Sequence, residues 1–229
     1  DCRMSAGPQR ARFRVAPGFA VPFVYAEHPN PESLNTQLRS LFLQKAAEGE
    51  AYSNAQPTMR IEQALFESRF DLFEWPEAPV QELRNFCWSA LFNTLAQVCG
   101  YSQEELAGVE LRSDAWFHIT RSGGYFGQHN HPGASWSGVY CVDPGEEGPE
   151  HADSGVLQFA NPTGIAAAFA DLGNTRWEEP WGTGPLRHRF RAGELVIFPS
   201  WVMHQVLPYL GQRERITVAF NAWFRQRTG

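Results

Sequence analysis

Two histidines in the segment 125–132 stand two residues apart, at the end of a run with strand character. Side chains at positions i and i+2 of a strand point to the same face, so His129 and His131 can bind one metal ion together. A third histidine, His204, follows a Phe-Pro turn far downstream. A pair of strand histidines alone is more often structural or exposed. The metal hypothesis therefore depends on His204 and on the residues that follow it.

Arg215 follows His204 by eleven residues, and Thr217 shares its face of the same predicted strand. A planar guanidinium binds a carboxylate through two parallel hydrogen bonds, and a neighbouring hydroxyl can add another. These residues predict a mononuclear metal site with a carboxylate-binding arginine beside it.

The elements that must position these residues change in character near residue 109. Beyond it, short strand-like runs alternate with Gly, Pro and Asp turns: 110–120, 124–130, 136–142, 155–160, 186–191, 194–198, 203–207 and 214–224. Eight short strands after a helical first half predict a mostly β (α+β) fold. We expect a double-stranded β-helix (jelly-roll or cupin-like) core with supporting N-terminal helices.

Strand alternation predicts which faces line the interior. In the last run, one face carries Ile216, Val218, Phe220 and Phe224, and the other carries Arg215, Thr217, Asn221 and Trp223. In the first run, Trp116, His118 and Thr120 share a face. Because the mixed polar and aromatic face occurs twice, we predict that it lines a pocket and that the apolar faces pack against the helices.

The first half of the chain has helical periodicity in two segments, from about Glu32 to Glu48 and from Pro79 to Val98. Gly100 is the expected stop of the second helix, and Ser102 opens a capping box. Residues 19–25 predict a short edge strand, because Pro22 cannot donate a ladder hydrogen bond.

We expect one domain over residues 1–229, with a lead-in strand and helical support in 1–108 and the jelly-roll catalytic core in 109–225. Residues 49–62 remain open between a loop over the site and a surface connection.

Composition excludes several classes of function. The net charge is −6 and the pI is about 5.7, so nothing indicates nucleic-acid binding. No run approaches 18 apolar residues, and no signal peptide is apparent, which predicts no membrane span. The four cysteines form no C-x-x-C pair, so we expect a cytoplasmic protein. Phosphate-loop, dinucleotide-binding and serine-nucleophile motifs are missing from the sequence.

The set of motifs resembles the Fe(II)/2-oxoglutarate-dependent oxygenases, most closely a bacterial subgroup with an H-x-H-P motif. The resemblance covers about residues 110–225. It consists of His129-Asn130-His131-Pro132, Ser137-Gly138-Val139-Tyr140, Phe198-Pro199-Ser200-Trp201 before His204, Arg215-Ile216-Thr217 and Phe220-Asn221.

That resemblance implies an oxidoreductase that uses Fe(II), 2-oxoglutarate and O2. His129 and His204 would be iron ligands, and Arg215 and Thr217 would bind the C5 carboxylate of 2-oxoglutarate. A chain this compact, without an extended basic or peptide-binding signature, suits a small substrate, and we expect an amino-acid-like metabolite of secondary metabolism. Hydroxylation of a C–H bond is the default reaction, and desaturation or oxidative ring closure remain open.

The sequence departs from most of the superfamily at His131, where an acidic ligand is usual. We favour His131 as the third ligand. Two alternatives stay open: Asp143 or Asp153 reaches the metal, or the third position is left to water or halide.

Further candidates flank these motifs. Tyr125, Ser137 and Asn221 are candidate cofactor contacts. The candidate substrate contacts are Trp116, His118, Arg121, Tyr140 and Trp223.

Two other functions remain open, a cupin-type three-histidine dioxygenase that does not use 2-oxoglutarate and a non-catalytic jelly roll that binds metal or a small molecule. The sequence leaves the oligomeric state open.

Overall fold

The structure is a computed structural model that describes residues 14–16, 18–61, 63–146, 151–169 and 171–227. The strands are β1 (Val24–Glu27), β2 (Leu65–Glu67), β3 (Val109–Thr120), β4 (Phe126–His129), β5 (Trp136–Asp143), β6 (Leu157–Phe159), β7 (Leu186–His188), β8 (Glu194–Pro199), β9 (His204–Val206) and β10 (Arg215–Gln226). The helices are α1 (Pro31–Ala47), α2 (Ala78–Thr94) and α3 (Gln103–Ala107). Short 3₁₀ turns cover Gly49–Ala51, Leu72–Glu74 and Gly164–Phe169, and Leu95–Cys99 forms a π turn.

Two antiparallel sheets face each other, as a double-stranded β-helix requires. We call them the large sheet, with the strand order β1-β8-β5-β10-β3-β2, and the small sheet, with the order β4-β9-β6-β7. The long strand β10 pairs with β3 along its whole length and with β5 on its other side. All eight strands predicted from residue 109 onward are present, which confirms the fold class. The edge strand begins two residues after Pro22, and β2 was not predicted.

The helices cover the outer face of the large sheet. Phe42 of α1 stacks on Phe117 of β3 with ring centroids 4.2 Å apart, and both side chains are fully buried. A proline at the first helical position starts α1, and Gly100 ends the second helical segment with φ +76°. Both predicted helices and the capping box at Ser102 are confirmed.

Strand alternation sorts the long strands as predicted. The apolar residues of β3 and β10 that pack toward the helices are Ala115, Phe117, Ile119, Ile216, Val218 and Phe220. Gly138 of β5 lies opposite Phe220, and a Cβ atom at this position would sit 2.2 Å from the Phe220 ring. The glycine of the Ser-Gly-Val-Tyr segment is therefore needed for packing rather than for chemistry.

Between the sheets, the interior divides into an apolar cluster and a cavity. The cluster holds residues of both sheets: Cys141, Leu157, Phe159, Phe190, Val196, Phe198 and Val202. The cavity lies beside it and is described below. Among the helices of the described residues, none is long and apolar enough to cross a bilayer.

Candidate metal and cofactor site

Strand pairing brings three histidines together. His129 ends β4 and His204 begins β9, and the two residues are direct partners in the antiparallel ladder. His131 lies two residues past the end of β4, where its backbone N–H donates to the Ser200 carbonyl at 3.0 Å. One ring nitrogen from each histidine lies within 4.8 Å of the others. Such a cluster of imidazoles can hold a single transition-metal ion.

Backbone hydrogen bonds set which ring nitrogen faces the centre of the cluster. His129 Nδ1 lies 2.7 Å from the Gly127 carbonyl, and His204 Nδ1 lies 2.9 Å from the Val202 carbonyl. A carbonyl oxygen only accepts, so Nδ1 must carry the proton in each ring. The Nε2 lone pairs of both histidines are then free to bind a metal, and the ring orientations are fixed.

Burial keeps two of the three imidazoles neutral. It lowers the pKa of His204 to about 3 and of His131 to about 4. Neutral imidazole is the form that binds metal, and it suits Fe(II). The donor set therefore fits a mononuclear iron ion.

The acidic alternatives to His131 lie in ion pairs elsewhere. Asp143 Oδ2 is 3.1 Å from Arg39 Nε and 3.2 Å from Arg213 Nη1. Asp153 is 3.0 Å from Arg187. Within the described part of the chain, the three histidines are the group of metal-binding side chains that meet closely enough to share one ion. These contacts favour His131 over either aspartate.

Arg215 and Thr217 lie on the inner face of β10, and each is only 3% exposed. The guanidinium carbon of Arg215 is 5.9 Å from the centre of the Phe190 ring. No side chain of the described residues forms an ion pair or hydrogen bond with this guanidinium. Burial lowers the pKa of Arg215, but guanidinium remains charged at any physiological pH. Burying a cation without an anion costs several kcal/mol, so the arrangement fits a bound carboxylate.

One cavity joins the two groups. Its lining comes from both sheets and consists of Trp116, His118, Phe126, His129, His131, Ser137, Gly138, Val139, Leu157, Phe190, Phe198, His204, Val206, Arg215, Thr217, Ala219 and Phe220. The three histidines, the arginine and the threonine named from the sequence thus share one space. A dicarboxylate could contact the metal through one end and Arg215 through the other.

Ser137 and Asn221 lie close together beside the turn that carries His131. The Ser137 hydroxyl donates to Asn221 Oδ1 at 2.7 Å and lies 2.8 Å from the Ser200 hydroxyl. Ser200 in turn accepts from the His131 backbone. Both residues are positioned to support the third histidine, and only Ser137 reaches the cavity wall.

The structure corrects four of the predicted contacts. Tyr140 points toward the helices and donates to Asn35 at 2.8 Å, because Val139 and Cys141 take the inner face of β5. Trp223 lies in an outer groove and donates to the Gly133 carbonyl at 2.8 Å. Tyr125 is 40% exposed and does not line the cavity. Arg121 lies beyond the end of β3, with its exposed guanidinium 3.9 Å from Glu214.

Sequence reasoning missed Glu67. This residue of β2 is 4% exposed, and its Oε2 lies 3.0 Å from His118 Nε2 on the cavity wall. The pairing follows from the register between β2 and β3, in which the two residues are direct partners. A single acidic residue in a short apolar run carries no signal for such a long-range partner.

A family model matches the part of the chain that carries these residues. Residues 114–221, a little under half of the chain, match the family model described as "Putative 2OG-Fe(II) oxygenase". The matched segment runs from β3 to β10 and includes all three histidines, Arg215 and Thr217. A search of the curated proteins gives no match.

Three solved structures share the fold at low sequence identity. A prolyl-4-hydroxylase from Pseudomonas putida is 19% identical with a TM-score of 0.57, covering 90% of this chain and 94% of its own. A prolyl hydroxylase from Trichoplax adhaerens, in complex with a hypoxia-inducible-factor peptide fragment, is 11% identical with a TM-score of 0.60, covering 88% and 83%. The α-ketoglutarate-dependent epimerase SnoN from nogalamycin biosynthesis is 9% identical with a TM-score of 0.57, covering 91% and 79%.

Proposed function

We propose that this Fe(II)- and 2-oxoglutarate-dependent oxygenase oxidises a C–H bond of a small metabolite, with His129, His131 and His204 as its iron ligands. Hydroxylation is the default reaction. It balances as R–H + 2-oxoglutarate + O2 giving R–OH + succinate + CO2. An amino-acid-like substrate is the first class to test, and desaturation or ring closure could follow from the same centre.

The observation that carries this proposal is that three clustered histidines and a buried arginine line the same cavity. His129, His131 and His204 lie close enough to share one ion, and the buried Arg215 guanidinium lines the cavity together with Thr217. A metal site alone needs no buried arginine. The combination fits a molecule that carries both a metal-binding group and a carboxylate.

The side chains of the cavity have separate tasks in this reaction. Bound together, Fe(II) and 2-oxoglutarate supply the activation of O2 and the oxidising power for a C–H bond. The three histidines would hold the metal, and His129 and His204 direct their Nδ1 protons at backbone carbonyls, away from it. Arg215 and Thr217 hold the far carboxylate and so orient the cofactor. Phe126, Leu157, Phe190 and Phe198 exclude water from the centre.

Arg215 also weighs against the two other candidate functions. A cupin-type three-histidine dioxygenase oxidises a metal-bound substrate and needs no carboxylate-binding arginine at this position. A non-catalytic jelly roll that binds metal or a small molecule likewise needs no carboxylate-binding arginine at this spacing. We therefore rank both below the oxygenase that uses 2-oxoglutarate.

An anaerobic titration tests the proposal. Fe(II) is added to the metal-free protein, followed by 2-oxoglutarate, and the weak visible absorption band of an iron-bound 2-oxo acid is recorded. Air is then admitted, and succinate is measured with a panel of small metabolites. We expect the band, followed by succinate. Iron binding without the band would support the cupin-type dioxygenase, and the absence of both band and O2 consumption would support the binding protein.

A further inference from the structure

A buried polar pair on the cavity wall is not explained by metal or cofactor binding. His118 lines the cavity on β3, directly across from Thr217 of β10 on one side and Glu67 of β2 on the other. It is 8% exposed, and Glu67 is 4% exposed. The Phe126 ring lies over the imidazole with the centroids 4.2 Å apart. Glu67 also comes from outside the segment that matches the family model.

Glu67 is held as a carboxylate. Its Oε1 accepts from Asn54 Nδ2 at 2.8 Å and from the Thr58 backbone N–H at 3.0 Å. Burial alone would raise the pKa of Glu67, but these bonds and the contact with His118 outweigh it, and the pKa lies below its usual value. The remaining oxygen, Oε2, needs a donor, and the nearest described one is His118 Nε2 at 3.0 Å.

Two neighbours compete for the same ring nitrogen. The indole N–H of Trp116 lies 3.1 Å from His118 Nε2 and can only donate, whereas the Glu67 carboxylate can only accept. Nε2 cannot satisfy both. A hydrogen bond to an ionised group is about twice as strong as one between neutral groups, and a buried carboxylate oxygen without a donor is costly. The proton therefore belongs on Nε2, directed at Glu67.

The other ring nitrogen then becomes an acceptor. Burial lowers the pKa of His118, and the nearby Arg215 charge lowers it further against the opposing effect of Glu67, so the ring is neutral. A neutral ring with its proton on Nε2 carries a lone pair on Nδ1. Nδ1 makes no hydrogen bond to any of the described residues, although His118 lines the cavity.

We infer that Glu67 fixes His118 so that its Nδ1 is a hydrogen-bond acceptor reserved for an O–H or N–H group of the substrate. The inference rests on the proposed function for the identity of the cofactor. At neutral pH 2-oxoglutarate offers two carboxylates and a ketone, all of them acceptors, so it cannot donate to Nδ1. A substrate with a hydroxyl, amine or amide group can do so. Glu67 is accordingly a positioning residue that acts through His118.

The tautomer can be observed without any substrate. Long-range ¹H–¹⁵N NMR of the Zn(II)-loaded protein distinguishes a protonated from an unprotonated ring nitrogen, and His118 is assigned by comparison with His118→Gln. We expect the proton on Nε2 in the wild-type protein and in Trp116→Phe, which removes the competing donor. Glu67→Gln offers Nε2 a donor and should move the ring toward the opposite tautomer. A proton on Nδ1 in the wild-type protein would overturn the inference.

A matched pair of small probes tests the acceptor itself. The Zn(II)- and 2-oxoglutarate-loaded protein is titrated with isopropanol, which has a donor, and with acetone, which has nearly the same shape and none. We expect the His118 Nδ1 resonance to shift with isopropanol only. Equal responses to the two probes would contradict a reserved acceptor.

Cofactor affinity separates this inference from the proposed function. His118→Gln should change the dissociation constant of 2-oxoglutarate by less than about twofold, because the cofactor has nothing to donate to Nδ1. A tenfold or larger loss of affinity would place His118 in the cofactor site and overturn the substrate assignment. A wild-type protein that does not bind 2-oxoglutarate would instead defeat the proposed function, and the tautomer measurement would stand unaffected.

Discussion

The two sheets that enclose the cavity differ in what supports them and in what they contribute to the site. The large sheet is covered by α1 and α2 on its outer face and carries Arg215 and Thr217, the proposed carboxylate-binding residues, on its inner face. The small sheet supplies His129 and His204 from strands of four and three residues. Its buried residues Leu157 and Phe159 belong to the cluster shared between the sheets, and Phe126 packs against His118.

This difference indicates that folding and metal binding are largely separate tasks. A sheet packed against helices has enough buried apolar surface to fold without a metal. Two short strands gain order from their partners and from any ion that joins their ends. If the tasks are separate, a substitution that affects one sheet should leave the property carried by the other sheet unchanged.

The largest effect is expected from His204→Ala. Loss of a partner that only orients a metal ligand costs about 10- to 100-fold in affinity, and loss of the ligand itself should cost more. We expect Fe(II) binding and succinate formation to fall below detection while the metal-free protein stays folded. Metal content, succinate formation and circular dichroism measure the three quantities.

His188→Ala is the matched control for that variant. His188 is also a histidine of the small sheet, but it lies outside the cavity and pairs with Glu194 at 3.3 Å. It should keep iron and activity. Loss of the fold in His204→Ala would contradict the separation of tasks.

The next effect concerns the large sheet alone. Phe42→Ala removes a fully buried ring that stacks on Phe117, and such changes typically lower the free energy of unfolding by about 3–5 kcal/mol. Phe19→Ala, at a fully exposed position, should change it by less than about 0.5 kcal/mol. Urea unfolding measures both. The iron affinity of folded Phe42→Ala should match that of the wild type, and a weaker affinity would show that the sheets are coupled.

Arg215→Ala tests the contribution of the large sheet to cofactor binding. Truncating one partner of a buried, hydrogen-bonded charge pair costs about 2–5 kcal/mol, or roughly 30- to several-thousand-fold in the affinity for 2-oxoglutarate. Arg215→Lys should recover part of the loss, since it restores the charge without the planar pair of donors. Arg213→Ala is the control, because Arg213 pairs with Asp143 outside the cavity. Fe(II) binding should survive in all three variants.

The sequence predicted those features that depend on local pattern. Alternation in β3 and β10 placed Trp116, Arg215 and Thr217 on the inner face, and two histidines two residues apart indicated part of the candidate metal site. Proximity to a motif was a poor guide. Tyr140 was predicted as a substrate contact because it lies next to a motif, although the alternation that places Val139 inside already assigns Tyr140 to the helix side.

Contacts between distant strands could not be predicted from local pattern. The pairing of Glu67 with His118 depends on the register between β2 and β3, which are separated by two helices. The ion pair between Asp143 and Arg39 of α1, which argues against Asp143 as a metal ligand, is likewise a long-range contact. In both cases the partner lies far along the chain, and nothing in the neighbouring residues selects it.

The smallest effect we predict is the stabilisation that a metal gives to the small sheet. A ligand that binds only the folded state stabilises it by about 2.7 kcal/mol at 100 times its dissociation constant. Zn(II), which does not change oxidation state, is the suitable probe, and hydrogen exchange of the metal-free and metal-loaded protein locates the effect. Since His129 and His204 join the ends of β4 and β9, the amides of these two strands should gain most of the protection. The amides of α2, which packs in the core beneath the large sheet, should exchange with solvent only when the whole protein unfolds. Their exchange should therefore slow only by as much as the metal raises the free energy of global unfolding. Equal local protection in α2 and β9 would mean that the two sheets form one cooperative unit, and the separation of tasks between them would not hold.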